Sequence, residues 1–392
     1  MKNSYWVLLS VLILATFLAI FTASTFSKLQ KKEIRNHHVS SRYLTDISNH
    51  KFSAVDCAEL FSDSTILLFG SSELGFYNTL MPFNFLPDNF GKRLLAIGKA
   101  GTQTFADFSV LTSYKKYLKT KQIVILISPN WFCGKSALGT HPALFMNYFN
   151  PAFYDTAIIK SEFSEYLTDY YLRNELDLDD QFILRKKLLP LSDINATKII
   201  HNEIMSLGES IKDMLCSNNN LVGKNIIDDD ITSKTKEVEN YSSFFDTLRV
   251  VESKDFLSTC TNNNYGIYDD YYTKYCEGKL PFSLIPTQVS ENQELKDLKT
   301  LLHFLKTEKY KPLVVLLPVN PYAYDMKDFL PFKQHIENEI KKYNFPFLNL
   351  FVNDTTTYQK GMCRDAMHTG PLGWIEINKK IVETFYPNEY GN

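Results

Sequence analysis

Two adjacent serines follow a short apolar segment near the start of the chain. In TILLFGSSELG, residues 65–75, the apolar run ends at Gly70, directly before Ser71 and Ser72. A serine in this place has two interpretations. It caps a following helix, a role in which serine is favoured, or it is a nucleophile at the carboxyl end of a parallel strand, where open α/β sheets bind their ligands.

An aspartate and a histidine near the carboxyl terminus have the spacing that such a nucleophile needs. In CRDAMHTGPLGW, residues 363–374, Asp365 precedes His368 by three positions. In a turn, this spacing lets the carboxylate reach the imidazole. A carboxylate on one ring nitrogen fixes the tautomer, and the other nitrogen then takes a proton from a serine. The pattern D-x-x-H alone is also typical of surface and capping residues, so its meaning depends on the serines.

Short strands and amphipathic helices alternate along the chain and would hold these residues. Continuous apolar runs are typical of strands covered on both faces of a parallel sheet. Helical periodicity lies between them, so the sequence predicts an α/β fold with a mostly parallel sheet flanked by helices. The strand segments are 65–69, 94–97, 123–128, 313–319 and 345–350, and the helical segments are 105–118, 292–307 and 333–343.

A long interruption divides this alternating pattern. Helical pieces such as 161–176 and two polar tracts lie there. We predict a largely helical insertion at 151–290, which is either a surface elaboration or a lid or binding element. It would separate a first part of the catalytic domain, 51–150, from a second part, 291–392, which carries Asp365 and His368.

The N-terminus contains a long uncharged apolar segment between Lys2 and Lys28. About 20 apolar residues span a bilayer as a helix. We expect residues 1–27 to be an uncleaved membrane anchor and residues 28–50 to be a basic juxtamembrane linker; a cleaved secretory signal and a buried helix are the alternatives. The basic residues after the segment favour a cytoplasmic domain by the positive-inside rule, although long domains translocate despite such charge.

Composition narrows the function classes. The 392 residues are 44% hydrophobic and 22% charged, which is typical of a globular protein. The formal net charge of -2 gives no electrostatic basis for binding nucleic acid. The six cysteines form no C-x-x-C pair, and we predict neither a metal site nor a cofactor. Cys260 and Cys276 are the most local candidates for a disulfide, and free buried thiols are the alternative.

The order of these motifs resembles the SGNH hydrolase superfamily, whose pattern is a Ser, a Gly, an Asn and a D-x-x-H on successive loops of a parallel sheet. Gly70-Ser71-Ser72 stands where that family has Gly-Asp-Ser. The resemblance implies a flavodoxin-type sheet and a nucleophile at Ser72. Ser71 is the alternative nucleophile, since it replaces the usual Asp.

The same resemblance implies which groups stabilise the oxyanion. Gly101, in the glycine-rich turn after the second strand, and Asn130, after Pro129 at the end of the third, stand where the family has its Gly and Asn. The donors would be the backbone N–H groups of Ser72 and Gly101 and the side-chain amide of Asn130. One such donor is typically worth about 3 kcal/mol. For Asn130, a loop-stabilising hydrogen bond is the alternative.

The full set of features resembles the DltD family of D-alanyl-lipoteichoic acid biosynthesis proteins over nearly the whole chain. The set comprises one N-terminal anchor, FGSSELG, SPNWF, a helical insertion and D-x-x-H-x-G-x-x-G-W. The resemblance implies a single-pass protein of the cell membrane with an extracytoplasmic catalytic domain. It also implies a seryl acyl-enzyme that passes D-alanine from a D-alanyl donor to hydroxyls of a teichoic-acid-like polymer. The implied partner is a membrane-bound, DltB-like O-acyltransferase.

Two rival functions use the same residues. An SGNH-type esterase would give the acyl group to water, and a non-enzymatic scaffold of an O-acylation complex would need no reactive serine. Glu73 also has two interpretations. We expect it to begin a helix, where an acidic residue suits the dipole, or to contact the ammonium of a D-alanyl group.

Overall fold

The structure is a computed structural model that describes residues 43–47, 52, 54–76, 78–149, 163–174, 241–285 and 287–390. The expected anchor, 1–27, most of the expected linker and the centre of the expected insertion lie outside these residues. Within the described ranges, no helix has the length and apolarity that crossing a membrane requires.

A parallel sheet of six strands forms the centre of the described fold. The strands stand side by side in the order β1-β3-β2-β4-β5-β6, and each neighbouring pair is parallel. Without the edge strand β1, this is the flavodoxin-type order, in which the switch point lies between β2 and β4. The strands are β1 (Tyr43–Leu44), β2 (Ile66–Phe69), β3 (Leu94–Ile97), β4 (Ile123–Ile127), β5 (Leu313–Leu316) and β6 (Phe347–Asn349).

Helices connect the strands and cover the sheet, which confirms the predicted α/β class. Asn292 caps α8 (Gln293–Thr307) by accepting the N–H of Leu295. Helix α9 (Leu330–Tyr343) is followed by the C-cap residue Asn344, whose φ of 53° is left-handed. The helices are α1 (Ala54–Leu60), α2 (Pro82–Phe90), α3 (Thr104–Ser113), α4 (Pro142–Phe145), α5 (Phe163–Arg173), α6 (Tyr241–Leu257), α7 (Asp269–Tyr271), α8 (Gln293–Thr307), α9 (Leu330–Tyr343), α10 (Pro371–Phe385) and α11 (Pro387–Tyr390).

Both faces of the central strands are buried, as their continuous apolar sequences predict. All residues of β2, β3, β4 and β5 are buried. Alternate residues, such as Ile66 and Leu68 of β2, face a cluster that includes apolar residues of α2, α6 and α10. Helix α6 therefore belongs to the core of the sheet domain, although it lies inside the predicted insertion 151–290.

Two local features differ from the sequence predictions. Residues 43–44 were expected within a linker, but they form β1 and pair with β3, and Leu44 is buried. The helix predicted at 105–118 ends at Ser113, and a 3-10 turn follows at Lys115–Tyr117. Pro371 and Gly373 lie in the first turn of α10, where proline needs no N–H partner.

Candidate active site

A tight turn after β2 carries the two serines. The carbonyl oxygen of Gly70 approaches Gly98 so closely that a Cβ at Gly98 would lie 1.8 Å from it. Gly98 has a φ of +145°, which side chains rarely adopt. The chain then enters a 3-10 turn at Ser72–Gly75. The residue after β3 must therefore be a glycine for the chain to pass this close to the turn that carries the serines.

The structure brings Ser72, His368 and Asp365 into one chain of hydrogen bonds. Nε2 of His368 lies 3.0 Å from Oγ of Ser72. Nδ1 of His368 lies 2.9 Å from Oδ2 and 3.1 Å from Oδ1 of Asp365. Oδ1 of Asp365 also accepts the backbone N–H groups of Met367 and His368, both at 2.9 Å. The aspartate thus fixes the position of the imidazole ring, and the ring faces the serine.

The charge of Asp365 determines which nitrogen of His368 can accept a proton. Burial alone would raise the pKa of Asp365, but the hydrogen bonds and charge of His368, with the backbone N–H groups, outweigh burial and lower that pKa. An ionised Asp365 only accepts hydrogen bonds, so it selects the tautomer with the proton on Nδ1. Nε2 then has a lone pair directed at the hydroxyl of Ser72, which is the arrangement of a general base.

Backbone hydrogen bonds hold the loop that carries Asp365 and His368 in place. Cys363 and Thr369 form an antiparallel bridge at its base. Inside this bridge, the N–H of Arg364 donates to the carbonyl of His368 at 2.9 Å. The N–H of Asn320, which follows β5, donates to the carbonyl of Ala366 at 3.1 Å. Backbone hydrogen bonds therefore connect the loop to the segment that follows β5.

Ser71 has different partners from Ser72. It is 2% exposed, and its hydroxyl accepts the N–H of Gly101 at 3.2 Å and donates to the carbonyl of Lys99 at 3.3 Å. Its own N–H donates to Oε1 of Glu73 at 2.7 Å. Ser71 thus ties the serine turn to the loop after β3, and the N–H of Gly101 is engaged in this contact.

Asn130 lies in a 3-10 turn, Pro129–Phe132, directly after β4. Its side-chain nitrogen and oxygen are both buried, and neither has a hydrogen-bond partner within the described residues. Buried amides are normally paired, because an unsatisfied one costs about 1–3 kcal/mol. Asn292 shows the usual case, since its amide donates to Phe132 and accepts from Leu295. The loop-stabilising interpretation of Asn130 therefore has no hydrogen bond to support it.

Two buried carboxyl groups lie behind the serine turn. Burial raises the pKa of Glu73, and the N–H groups of Ser71 and Glu73 and the charge of His368 reduce this effect. Burial, with a smaller effect of Glu73, raises the pKa of Asp107 in α3 well above its usual range. Glu73 lies in the first turn of a helix, as expected, but this helix is the short 3-10 helix Ser72–Gly75, and its carboxylate accepts the N–H of Ser71.

Three side chains beside the site were not singled out from the sequence. The guanidinium of Arg364 lies 4.2 Å from the ring centroid of Phe76 and 5.2 Å from that of Tyr268. The ring of Phe76 also meets the ring of His368 edge-on at 4.8 Å. Arg364 precedes Asp365 in the motif CRDAMH, so its place in the motif was the available signal. The two aromatic residues resemble ordinary core residues in the sequence.

Thiols and metal ligands show no second reactive centre in the described residues. Cys260 and Cys276 are free thiols, and so are Cys57, Cys133 and Cys363. Burial raises the pKa of Cys57 and of Cys133 to about 12, which keeps both thiols protonated. Among the described side chains, no three His, Cys, Asp or Glu residues stand close enough to hold a metal ion together.

Comparison with known proteins gives one consistent result. The sequence profile of the family described as DltD protein matches residues 45–386. A protein of Bacillus subtilis (strain 168) named Protein DltD is 24% identical over 345 residues, which cover 84% of each chain. A Protein DltD of Staphylococcus aureus (strain NCTC 8325 / PS 47) is 21% identical over 328 residues, which cover 81% of this chain and 80% of the relative.

Proposed function

The chain belongs to the DltD family, and on this premise we propose that it is a serine acyltransferase that D-alanylates a teichoic-acid-type polymer of the cell envelope. The observation that carries the proposal is the hydrogen-bonded chain from Ser72 through His368 to Asp365. A scaffold protein has no need of an imidazole between an ionised carboxylate and a half-buried serine hydroxyl.

In the first half of the proposed reaction, Ser72 becomes acylated. Its oxygen attacks the carbonyl carbon of a D-alanyl donor while its proton passes to Nε2 of His368. The bond to the donor's leaving group then breaks, and the leaving group takes that proton. Asp365 remains ionised and stabilises the imidazolium. The product is a D-alanyl ester of Ser72.

The second half transfers the acyl group to the acceptor. A polyol hydroxyl of the polymer attacks the seryl ester and gives its proton to Nε2 of His368. The bond to Oγ of Ser72 breaks, and the serine recovers the proton. An esterase would carry out the same step with water, so the acceptor decides between transfer and hydrolysis.

We assign oxyanion stabilisation to the side-chain amide of Asn130 and the backbone N–H groups of Ser72 and Gly101. Asn130 fits this role because its buried amide has no partner among the described residues. The N–H of Gly101 donates to Ser71 in this structure. During the reaction it would share its hydrogen between that hydroxyl and the oxyanion.

The proposal includes the location of the protein. Residues 1–27 would anchor it in the cell membrane by a single pass, with the catalytic domain outside, next to a DltB-like O-acyltransferase that supplies D-alanyl groups. Protease added to intact spheroplasts should then digest the domain. Protection in intact spheroplasts, followed by digestion after lysis, would place the domain in the cytoplasm and contradict this topology.

Intact-mass analysis of the full-length protein tests the chemistry. After exposure to D-alanyl esters or thioesters, the wild type should gain the mass of one D-alanyl group, and Ser72→Ala should not. Addition of a polyol should remove the mass and produce a D-alanyl polyol ester. Release of D-alanine alone would identify an esterase. A folded wild-type protein that gains no mass from any donor would contradict the acyl-enzyme and support the scaffold function.

A further inference from the structure

The side chain of Arg364 lies beside the proposed active site, and its buried Nε has no hydrogen-bond partner among the residues that the structure describes. The nearest carboxylate oxygen, Oδ2 of Asp365, lies 3.9 Å from Nε, which is beyond hydrogen-bonding distance. That oxygen already contacts His368 at 2.9 Å. The ion pair with Asp365 therefore does not account for the five N–H groups of this arginine.

The guanidinium is held in place by contacts that leave these N–H groups available. The backbone N–H of Arg364 donates to His368, and its carbonyl accepts the N–H of Tyr268 at 3.2 Å. Its side chain contacts the rings of Phe76 and Tyr268, and 30% of the side chain remains exposed. Ring contacts fix the position of a guanidinium, while its planar edge keeps the geometry that matches a phosphate or carboxylate.

Phe76 places this cation next to the reacting groups. One ring contacts the guanidinium of Arg364 at 4.2 Å and the imidazole of His368 at 4.8 Å. His368 in turn lies 3.0 Å from the hydroxyl of Ser72. An anion bound by Arg364 would thus lie close to an acyl group on Ser72 or to the group that attacks it. A D-alanyl ester carries an ammonium and no anion, so the acyl group itself is not the ligand.

We propose that Arg364 binds a phosphate ester of the substrate beside His368 and thereby selects substrates in which a phosphate lies near the reacting group. This inference rests on the proposed function and adds the recognition element to it. A polyol-phosphate acceptor has a phosphodiester a few bonds from each hydroxyl, and an acyl donor that carries a phosphate ester offers the same chemistry. The two sources are separated by the step at which Arg364 matters.

The acceptor step is measured on acyl-enzyme isolated from the full-length protein. For the wild type, sn-glycerol 3-phosphate should remove the D-alanyl group with a higher kcat/KM than glycerol. Arg364→Gln should reduce this preference by roughly tenfold or more, because it removes a charge-assisted hydrogen bond. Arg364→Lys should keep part of the preference, since it keeps the charge but lacks the planar fork.

The donor step uses the same three proteins. Acylation is compared for two D-alanyl esters that differ only in a phosphate on the leaving group. A loss of preference confined to acceptor transfer identifies the acceptor phosphate, and one confined to acylation identifies a donor phosphate. Either result supports the proposal. Absence of a phosphate preference in the wild type, or an unchanged preference in Arg364→Gln, overturns it.

A matched control and a binding measurement keep this test separate from that of the function. Arg249 pairs with Glu376 and Gln359 outside the site, so Arg249→Gln should retain the wild-type preference. Inorganic phosphate should raise the melting temperature of the wild type more than that of Arg364→Gln. If no acyl-enzyme forms, the proposed function fails, and this shift still decides whether Arg364 binds phosphate. An equal shift in both proteins overturns the proposal.

Discussion

The hydroxyl of Ser71 accepts the backbone N–H of Gly101 at 3.2 Å, although the two residues are 30 positions apart. The neighbouring hydroxyl, on Ser72, lies 3.0 Å from the imidazole of His368. Two adjacent residues of the same type thus have different surroundings, because one points into the contact between the loops after β2 and β3 and the other points out of it.

Ser71→Ala should still form an acyl-enzyme, because His368 faces Ser72. The variant should lose about 1 kcal/mol of stability, since the N–H of Gly101 and the carbonyl of Lys99 lose a partner. Intact mass and urea unfolding check the two expectations. A folded Ser71→Ala protein that gains no acyl mass, beside a Ser72→Ala protein that does, would identify Ser71 as the nucleophile.

Ser72→Ala and His368→Ala should not be additive. Groups that act as one unit lose most of their effect when either is removed, so the double variant should transfer acyl groups about as slowly as each single variant. Single-turnover acylation rates of the three variants provide the measurement. Acyl transfer at the wild-type rate in a folded His368→Ala protein would exclude His368 as the base.

Asn130→Ala should slow acylation by roughly a hundredfold or more and leave stability nearly unchanged. The reason is that its buried amide has no partner to lose among the described residues. Asn292→Ala is the matched control, because it removes two hydrogen bonds and should cost about 1–3 kcal/mol of stability without touching the serine. Melting temperature and acylation are measured on the same samples. A destabilised Asn130→Ala protein with normal acylation would show a structural role.

The central strands could be predicted because a strand buried on both faces has a continuous apolar sequence. Residues of β2 to β5 are apolar without interruption, and so their bounds follow the sequence closely. The edge strand β1 has two residues and lies next to a basic stretch, so no periodicity distinguishes it from a linker. Helix α6 lies inside the predicted insertion, and its sequence does not indicate that it packs on α10. In the structure, Tyr241 of α6 donates to the carbonyl of Lys379 in α10.

The site was predictable only where motif and chain order carry information. Ser72, Asp365 and His368 stand in recognisable motifs, and parallel strands bring such loops to one edge of a sheet. Phe76 and Arg364 are 288 positions apart in the sequence, and their contact depends on how the two side chains are oriented. No rule of residue spacing predicts a contact over this separation. The side-chain amide of Asn130 has no hydrogen-bond partner among the described residues, and this likewise depends on its surroundings and not on its motif.

Asp107→Asn should change how stability depends on pH. The pKa of Asp107 is raised in the folded protein, so the folded state holds a proton that the unfolded state loses as pH rises above the usual range of an aspartate. The contribution of Asp107 to wild-type stability therefore falls as pH rises from the usual range of an aspartate towards the raised pKa of the folded state, and Asp107→Asn should lack this contribution. Urea unfolding at several pH values measures this difference. Asp63→Asn, an exposed change of the same charge, should follow the wild type. Equal slopes in Asp107→Asn and the wild type would contradict the prediction.

Gly98→Ala should damage the fold and the site together. The added Cβ would lie 1.8 Å from the carbonyl oxygen of Gly70, and the alanine would also have to adopt a φ of +145°. We expect a loss of about 1–3 kcal/mol or more and displacement of the serine turn, with reduced acylation. Gly75→Ala is the control, because nothing lies within 4 Å of its Cβ position. Melting temperature and intact mass report both effects, and a Gly98→Ala protein as stable and active as Gly75→Ala would refute the close approach.

The distance of 296 positions between Ser72 and His368 has a consequence for the growing polypeptide. The ribosome produces the serine turn after β2, whereas the D-x-x-H loop is produced only after β6. Until then Ser72, the proposed nucleophile, has no base to take its proton, and a hydroxyl without a base is a poor nucleophile. On the proposed function, a chain that ends before Asp365 should therefore carry an inert serine, and reactivity should arise only after the D-x-x-H loop has been made.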